Sequence, residues 1–491
     1  MKNMIGYLSI LLILPLLGSL VAYLGGYLSE KFSKWFSITL SLVLFAYSLY
    51  LALIFNTAVQ GFQFLEEYYW APAFGLTFKV GVDGISLIMI ILGTMLSLIA
   101  AASSPFNIHH HEKEYYALLL LFESAILGVF ISLNLILFYV FWELVLIPMF
   151  PLIGIWGGPN RKYAAVKFFI YTHVGSVIML VGFISFYILS TPHTFDMIEL
   201  SKAGFPATIQ LWLGLAILLG CSIKLPIFPF HTWLPDAHVQ APSPVSVLLA
   251  GLLLKMGGYG LIRLGLTLTP LGFQIMAPYL MGLAIFSSIY AAFAALAQTD
   301  LKRLVAFTSI NHMGFVMLGV SALNVIGVMG AVFQMFSHGT IIALLFLLSG
   351  VVHHHVGTRD IDKLAGMKFK MPFTTALLAF GSIAAISTPG TSGFIAEATI
   401  LRGALSVSLI SIIAIFGMAL TAGYFLWMLH RAPFNPIESE EMEKTHEASG
   451  WELIPLAFLV IPIVLLGIYP EVILKFLVAP VVSILTSIGG A

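Results

Sequence analysis

The chain has 491 residues, of which 60% are hydrophobic and 9% charged, and its formal net charge is zero. Soluble domains carry about 25% charged residues, so this composition excludes a soluble globular protein and indicates an integral membrane protein. The balanced charge gives no indication of nucleic-acid binding, since such domains present strongly basic surfaces.

Apolar stretches recur along the whole chain, each long enough to cross a hydrocarbon layer of about 30 Å as a helix. Lipid offers no water to unpaired backbone groups, so helices rather than sheets are expected to span the membrane. We predict an all-α polytopic membrane protein with about fourteen spans in a single membrane domain, residues 1–491. The predicted spans are centred near residues 15, 45, 93, 123, 145, 177, 219, 254, 286, 313, 339, 387, 417 and 466.

The first apolar run follows "MKNM". Because it is long and lacks a small-residue cleavage site, we interpret it as the first helix and not as a signal peptide.

Lys and Arg residues are distributed unevenly between the two sides of the membrane. One side collects fourteen of them: Lys31, Lys34, Lys113, Arg161, Lys162, Lys167, Lys302, Arg303, Arg359, Lys363, Lys368, Lys370, Arg431 and Lys444. The other side collects six: Lys2, Lys79, Lys202, Arg263, Arg402 and Lys475. Since positive residues are retained in the cytoplasm, we expect both termini on the outer side of a cell membrane, or of an energy-converting membrane of an organelle.

Two predicted spans are interrupted. In span 7, Lys224 is followed by Pro226 and Pro229, and in span 12 the stretch "ISTPGTSGFIAE" places Pro389 before Glu397. Simple kinks are one explanation, but irregular backbone at membrane depth survives only inside protein or along a wet cavity. Matched interruptions five spans apart predict two five-helix repeats of inverted topology, spans 4–8 and 9–13, around a transport site. The predicted segments are 1–112 (helices 1–3), 113–267 (first repeat), 268–432 (second repeat) and 433–491 (polar loop and last helix).

Five ionisable residues lie well inside predicted spans: Glu123, Glu143, Lys224, Lys255 and Glu397. A charged residue at the bilayer centre costs roughly 2.5–3.5 kcal/mol on insertion scales, so such residues point to function. The alternative is that each is paired with a neighbour to fix helix packing, and this explanation is strongest for Glu123.

Histidines lie between these charges along the chain. His231 and His238 separate Lys224 from Lys255, while His312 and His338 separate Lys255 from Glu397. Because histidine exchanges protons near neutral pH, we predict that these four relay protons. The alternative is that these histidines are buried packing groups that do not transfer protons.

Metal and haem ligation are further alternatives for histidine. Spacing alone leaves His173, His312 and His338 open as haem ligands, although the buried lysines and glutamates would then lack a purpose. The runs His109–His111 and His353–His355 could bind a metal, but flexible surface histidines are common at membrane interfaces, and we predict no metal site. The single cysteine, Cys221, excludes disulfides and cysteine-ligated clusters, and with no dinucleotide fingerprint present we expect no cofactor in this chain.

Four stretches resemble a known family: "FYVFWELVLIPMFPLIGIWG", "KLPIFPFHTWLPDAHVQAPSPVSVLLAGLLLKMGGYGLIR", "TDLKRLVAFTSINHMGF" and "PGTSGFIAE". This family comprises the antiporter-like membrane subunits of respiratory complex I and its relatives, including Mrp-type sodium/proton antiporters. The resemblance implies fourteen helices with two inverted repeats. It also implies that Glu143 and Lys224 form a modulating ion pair, that Lys255 is the central proton carrier and Glu397 the exit-side carrier, and that the four histidines join them.

In having glutamate at position 397 the sequence resembles the M-type chain, whereas L-type, N-type and most antiporter relatives carry lysine at the corresponding position. The length of the sequence is also similar to that of an M-type chain. Asn134 departs from the aspartate of many relatives; with Glu123 it is a further candidate site residue.

The resemblance implies a proton-translocating subunit without its own redox centre, assembled in lipid with L-type, N-type and small membrane subunits. It also implies that flavin, iron–sulfur clusters and quinone belong to partner subunits. A subunit of an Mrp-type antiporter or of a membrane-bound hydrogenase-type complex is the alternative; the electron donor and acceptor, and H⁺ against Na⁺, stay open.

Overall fold

A computed structural model describes residues 6–71 and 75–486 of the chain. Within these residues, thirteen helices are long and apolar enough to cross a membrane. The interrupted twelfth span adds a further pair of shorter helices, so the prediction of an all-α polytopic membrane protein is confirmed. Lys2, which we assigned to the outer side, lies outside the described residues.

The first half of the described chain contains two strands and twelve helices. These are α1 (Tyr7–Gly25), α2 (Glu30–Ile54), β1 (Gln63–Ala71), β2 (Leu76–Val82), α3 (Gly84–Ser103), α4 (Glu112–Ile131), α5 (Leu135–Leu144), α6 (Leu146–Gly154), α7 (Arg161–Leu189), α8 (Met197–Leu200), α9 (Ala207–Lys224), α10 (Trp233–Gln240), α11 (Ser243–Leu248) and α12 (Leu254–Gly260). Helices α11 and α12 belong to one continuous span, because π-helical turns at Leu249–Leu253 and Leu261–Leu266 extend them.

The second half is helical throughout its described elements. These are α13 (Pro270–Leu296), α14 (Leu301–Ser321), α15 (Val325–Val356), α16 (Met367–Lys370), α17 (Pro372–Ala385), α18 (Ser392–Leu405), α19 (Ala414–Arg431), α20 (Glu440–Glu443), α21 (Gly450–Ile468) and α22 (Glu471–Thr486). Short 3₁₀ turns lie at Ser104–Phe106, Asp362–Leu364 and Leu409–Ile413.

Two of the spans that carry buried polar groups are completely enclosed by protein. The spans Ser243–Leu266 and Leu301–Ser321 are 100% buried, whereas the span Glu30–Ile54 is 28% buried. Leu301–Ser321 also has the lowest mean hydropathy of the spans, 1.4. A polar group in lipid lacks hydrogen-bond partners, so the most polar spans gain most from a position inside the bundle.

Both predicted helix interruptions are present. Helix α9 ends at Lys224 and helical structure resumes at Trp233, while α17 ends at Ala385 and α18 begins at Ser392. The inverted symmetry of the two five-helix units stays a prediction.

The C-terminal region differs from the expectation. We placed the last span near residue 466, but the spanning helix α21 begins earlier, at Gly450, and ends at Ile468. Proline disfavours helical backbone in the residue before it, so Pro470 separates α21 from α22, a second helix that we did not predict. The polar loop before α21 is not simply solvated, because Glu447 accepts the backbone N–H of Phe373 (2.6 Å) at the start of α17.

A β-hairpin between α2 and α3 was also not predicted. Strands β1 and β2 pair antiparallel, with Glu66 opposite Val80. The Glu66 carboxylate accepts the backbone N–H of Leu8 (2.6 Å) and so satisfies a free donor at the start of α1. Burial opposes the charge of Lys79 on β2, but its hydrogen bond to Asp196 and the negative charges of Asp196, Glu67 and Glu199 together outweigh burial and raise the lysine pKa.

Gly257 allows α12 to approach the last turn of α9. A Cβ atom at Gly257 would lie 2.5 Å from the Leu225 nitrogen and 2.7 Å from the Cys221 oxygen, and both are backbone atoms that cannot turn aside. Because Lys224 lies between these two residues and Lys255 lies on α12, this contact sets the distance between the two lysine-bearing segments.

We therefore expect Gly257→Ala to destabilise the protein, by about 1–3 kcal/mol as is typical of overpacking. The matched control is Gly282→Ala in α13, where an added Cβ meets nothing within 4 Å. Thermal unfolding of the purified protein in detergent is the measurement. Equal midpoints for the two variants would contradict the close contact.

Candidate functional site

Lys255 lies at the centre of the enclosed helices. Its side chain is fully buried, and its ammonium donates to the backbone oxygen of Ala250 at 2.7 Å. Ala250 lies within the π-helical turn that precedes α12. Such turns disturb the regular backbone ladder and occur frequently at functional sites, and here the turn supplies an acceptor for the lysine charge.

The second partner of Lys255 is His338 on α15, with 2.5 Å between Nζ and Nδ1. An ammonium has no acceptor, so Nδ1 of His338 must accept, and the neutral ring then carries its hydrogen on Nε2. Nε2 is buried and has no hydrogen-bond partner among the described residues. His338 is therefore oriented to receive a proton at one ring nitrogen and to release one from the other.

His312 and Glu397 extend the contact beyond His338. The rings of His338 and His312 meet edge to face with centroids 5.5 Å apart. Nε2 of His312 lies 3.7 Å from Oε1 of Glu397, and all these side chains are buried. A bridging water or a small side-chain rotation closes the gap between His312 and Glu397. The structure thus brings four predicted residues into one line: Lys255, His338, His312 and Glu397.

The helix break before α18 positions Glu397. Ser392, the first residue of α18, forms a hydroxyl contact with Ser337 of α15 at 2.7 Å, next to His338. Gln334, one turn earlier on α15, donates to Glu397 Oε1 at 3.4 Å. Sequence reasoning missed Gln334; its polar side chain in the apolar run "VMGAVFQMFSHG" was the available signal.

Lys224 is the last residue of α9. Its ammonium faces Trp142, the residue that precedes Glu143. Its ammonium donates to the Trp142 backbone oxygen at 2.8 Å and lies 4.0 Å from the centroid of the Trp142 ring. The indole face attracts a cation, so both contacts stabilise the lysine charge at a fully buried position.

The expected direct ion pair between Glu143 and Lys224 is not formed in this structure. Glu143 Oε2 instead lies 2.8 Å from Nδ1 of His173 on α7, and the His173 ring stacks on Phe169. Since Lys224 already bonds to the carbonyl of the preceding residue, Trp142, a turn of the carboxylate is the smallest change that would pair the two charges. The sequence left His173 open only as a haem ligand, whereas the structure shows it bonded to the carboxylate of this expected pair.

His231 and His238 do not bond directly to either lysine. His231 stacks on Phe228, with ring centroids 5.8 Å apart, and His238 stacks on Phe346 at 4.4 Å. Neither ring nitrogen of His238 has a hydrogen-bond partner among the described residues. Buried polar atoms of this kind usually bond to ordered water, so a connection from Lys224 to Lys255 through these two rings requires water.

A cavity of about 460 Å³ reaches the chain just beyond His238. It is lined by residues 239–243, by Lys302 and by Arg359. We assigned Lys302 to a loop, but its side chain is buried and its ammonium donates to the Ala241 oxygen at 2.5 Å. This cavity gives water a route from the surface to the loop between α10 and α11.

The two further candidates lie apart from this line. Glu123 on α4 accepts a hydrogen bond from Ser41 of α2 at 2.8 Å. Asn134 caps α5, since its Oδ1 accepts the backbone N–H of Ile136 at 3.0 Å. The Asn134 contacts are those of a helix cap, which explains why an amide serves at this position.

A second buried ion pair was missed. Arg263 was assigned to an outer loop, but it lies inside the span Ser243–Leu266 and pairs with Asp83 at 2.5 Å. The sequence feature that could have predicted the burial of Arg263 is its position on the same helix as Lys255, two turns further along.

The comparisons with known proteins bear on this site. A family model described as NADH:quinone oxidoreductase/Mrp antiporter, TM, matches residues 132–421, a range that contains every residue of the line. NADH-quinone oxidoreductase subunit M of Rickettsia conorii is 40% identical over 476 residues, which cover 95% of this chain and 96% of that protein. The chain belongs to the antiporter-like membrane subunits of the complex I family, M type.

Solved structures of the complex I family and its relatives share the fold. A chain of respiratory complex I from Thermus thermophilus with bound NADH superposes with a TM-score of 0.91 at 27% identity, covering 98% of this chain and 100% of that chain. A chain of the Mrp complex from Dietzia sp. has a TM-score of 0.86 at 18% identity, covering 98% and 99%, and this likeness concerns the fold alone.

The geometry of the M-type site does not favour haem. The rings of His312 and His338 touch, which leaves no space for a porphyrin between them, and His338 is bonded to Lys255. His173 faces Glu143.

The contact between His173 and Glu143 leads to a structural prediction. Phenylalanine fills a similar volume to histidine but cannot hydrogen-bond, so in His173→Phe we expect the Glu143 carboxylate to turn toward the Lys224 ammonium. The control is Phe169→Leu, which removes the ring stacked on His173 but keeps the hydrogen bond. High-resolution cryo-electron microscopy of both variants is the measurement. An unchanged Glu143 side chain in His173→Phe would show that His173 does not hold it away from Lys224.

Proposed function

We propose that the chain is a proton-translocating subunit of a complex I-type oxidoreductase and that protons move along the line from Lys255 to Glu397. The contact between Lys255 and His338 carries this proposal. A 2.5 Å hydrogen bond between an ammonium and a neutral imidazole, both fully enclosed, joins two groups that can exchange a proton without other movement.

The first transfer follows from the hydrogen bond between Lys255 and His338, and the next two cross gaps that a water or a side-chain rotation would close. Lys255 gives a proton from Nζ to Nδ1 of His338 and becomes a neutral amine. His338 then releases the hydrogen on Nε2 toward His312, and the His312 ring passes a proton from Nε2 to the carboxylate of Glu397. Lys255 ends with one proton fewer and Glu397 with one more, while each histidine keeps its number of protons and has its hydrogen moved from one ring nitrogen to the other. Proton uptake by Lys255, proton release from Glu397 and return of both rings to their starting tautomers restore the line.

The pair of Glu143 and Lys224 is proposed to control this transfer. Lys224 without a carboxylate partner is a positive charge that disfavours a second positive charge on Lys255. When Glu143 turns from His173 to Lys224, that repulsion is reduced and Lys255 can hold its proton. Movement of one charge against 100 mV needs about 2.3 kcal/mol, and changes of this size are within reach of buried charge pairs.

The uptake route is proposed to begin at the cavity of about 460 Å³ beside the loop after His238. Water in this cavity would reach His238, and water beside His231 would reach Lys224, which gives both histidines a role at uptake. From the distribution of positive residues, this cavity is proposed to lie on the cytoplasmic side, with both termini outside. Segments 113–267 and 268–432 then act as two inverted units, with Glu397 near the outer exit.

We propose that the chain itself contributes no redox group. Its one cysteine cannot ligate an iron–sulfur cluster, so electron transfer would take place in partner subunits of the complex. The bacterial relative of 40% identity is named as a subunit of an NADH-quinone oxidoreductase, which supports assembly with other antiporter-like membrane subunits in a cell membrane. The Mrp-type alternative has support from the fold alone, and an obligatory dependence of transport on sodium would favour it.

Glu397→Gln keeps the volume of the carboxyl group and its hydrogen bond with Gln334 but cannot accept a proton. Removal of a proton-transfer group typically costs 10²-fold or more, so we expect proton translocation to fall by at least about tenfold. Glu397→Lys, which restores an ionisable group, should retain more activity. Proton uptake by membrane vesicles, normalised to assembled complex, is the measurement.

The control for these two variants is Glu199→Gln, which changes an exposed carboxylate outside the line. Translocation in Glu397→Gln equal to that of the control would remove Glu397 from the proposed path.

His338→Phe fills the same space but removes the acceptor of Lys255 and the link to His312. We expect assembly to be retained and translocation to fall by at least about tenfold, for the same reason. His430→Phe in α19 is the control, because that ring is exposed and stacks on Trp427. Near-normal translocation in assembled His338→Phe would contradict the line.

A further inference from the structure

Two neighbouring histidines and one glutamate meet where α15 ends and α21 begins. His354 Nδ1 lies 3.0 Å from Glu452 Oε1, and His355 Nε2 lies 3.2 Å from Glu452 Oε2. The three ligand atoms all lie within 4.8 Å of one another. This cluster belongs neither to the line from Lys255 to Glu397 nor to the charges around Lys224.

We propose that His354, His355 and Glu452 form a binding site for a divalent transition-metal ion, with Zn²⁺ as the best-suited cation. Zinc binds imidazole nitrogen and carboxylate oxygen at roughly 2.0–2.2 Å in tetrahedral geometry, which places neighbouring ligand atoms about 3.3 Å apart. His354 Nδ1 and His355 Nε2 lie 3.0 and 3.3 Å from the same Glu452 oxygen, Oε1, and both separations are close to this spacing. Two histidines and one glutamate also leave a fourth position for water.

Glu452 is fixed in place before any metal binds. Its carboxylate accepts the backbone N–H of Ser449 at 2.9 Å, and the Ser449 hydroxyl oxygen accepts the backbone N–H of Glu452 at 3.4 Å; these two bonds form the capping box of α21. The Ser449 hydroxyl also donates to the Glu452 carboxylate at 2.9 Å. The Glu452 side chain is 5% exposed, whereas the side chain of His354 is 49% exposed. A buried, held carboxylate with an exposed histidine beside it gives a preformed site that an ion can reach from solvent.

The end of α15 favours a cation. Helix α15 ends at Val356, and Gly357 closes it with a positive φ of 81°. The last carbonyl groups of a helix carry partial negative charge, and His354 and His355 lie in this last turn. Imidazole ligands suit zinc, copper and nickel, whereas magnesium and calcium prefer sites of oxygen ligands. The two imidazole ligands of this site therefore favour zinc, copper or nickel over magnesium and calcium.

His353 offers a matched comparison within the same histidine run. It lines the cavity of about 460 Å³ together with His354, Lys302 and Arg359, but unlike His354 it is not part of the three-residue cluster. The sequence pointed to this histidine run but could not supply Glu452, which is 97 residues further along the chain from His355.

The test is zinc binding to the purified, intact complex, by equilibrium dialysis against Zn²⁺ with elemental analysis. In His354→Asn and in His355→Asn we expect the Zn²⁺ affinity of the site to fall by at least about tenfold, so that one Zn²⁺ per chain is lost. A loss of this size is already typical when only a residue that hydrogen-bonds to a metal ligand is removed. His353→Asn should keep wild-type binding. Co²⁺ in place of Zn²⁺ should give the visible absorption of a tetrahedral site in the wild type and in His353→Asn.

Glu452→Gln also changes the capping box of α21 by replacing its carboxylate with an amide, so the histidine variants carry the conclusion. Wild-type zinc affinity in either His354→Asn or His355→Asn would overturn the three-ligand site. An equal loss in His353→Asn would also overturn it, because the run would then bind metal without Glu452. All these outcomes are read from binding and are independent of proton translocation.

Discussion

The hydrogen bond between Lys255 and His338 is the contact on which the rest of this structure depends. An ammonium at the centre of a membrane protein is stable only where protein supplies acceptors, and two different devices supply them: a π-helical turn offers the Ala250 carbonyl, and α15 offers an imidazole. Both require the surrounding helices to be enclosed by protein, and the spans Ser243–Leu266 and Leu301–Ser321 are fully buried.

The helix interruptions have a common physical purpose. At the end of α9 the break brings the Lys224 ammonium onto a backbone carbonyl, and at the start of α18 it brings Ser392 onto Ser337 and Glu397 onto Gln334. In a continuous helix the backbone N–H and C=O groups bond to one another, so few of them are left to bond to a charged side chain. An interrupted helix ends inside the protein, so its terminal residues can meet partners from other helices. In this way the two breaks determine where the ends of the charged line lie.

Much of this arrangement could be predicted from the sequence, because membrane burial makes each polar residue in an apolar run informative. The spans, the two breaks and the grouping of Lys255, His312, His338 and Glu397 follow from that rule. The Glu143 contact could not be predicted, since whether a carboxylate turns to His173 or to Lys224 is decided by side-chain rotation. Lys302 and Arg263 were assigned to loops because they lie near the ends of apolar runs, where the sequence does not distinguish burial from exposure. The β-hairpin was missed because it has neither the length nor the hydropathy of a span. Helix α22 is apolar but only 16 residues long, and its apolar run follows that of α21, which we interpreted as a single span.

The central claim is that Lys255 and Glu397 act on one proton path, and the most direct test is a double-variant cycle in the assembled complex. Lys255→Met and Glu397→Gln are measured singly and together for proton translocation at matched levels of assembly. If both residues serve one path, either single variant already blocks it, and the double variant should be no worse than the more impaired single variant. If the losses instead multiply, the two residues act independently, and that result would contradict the line from Lys255 through His338 and His312 to Glu397.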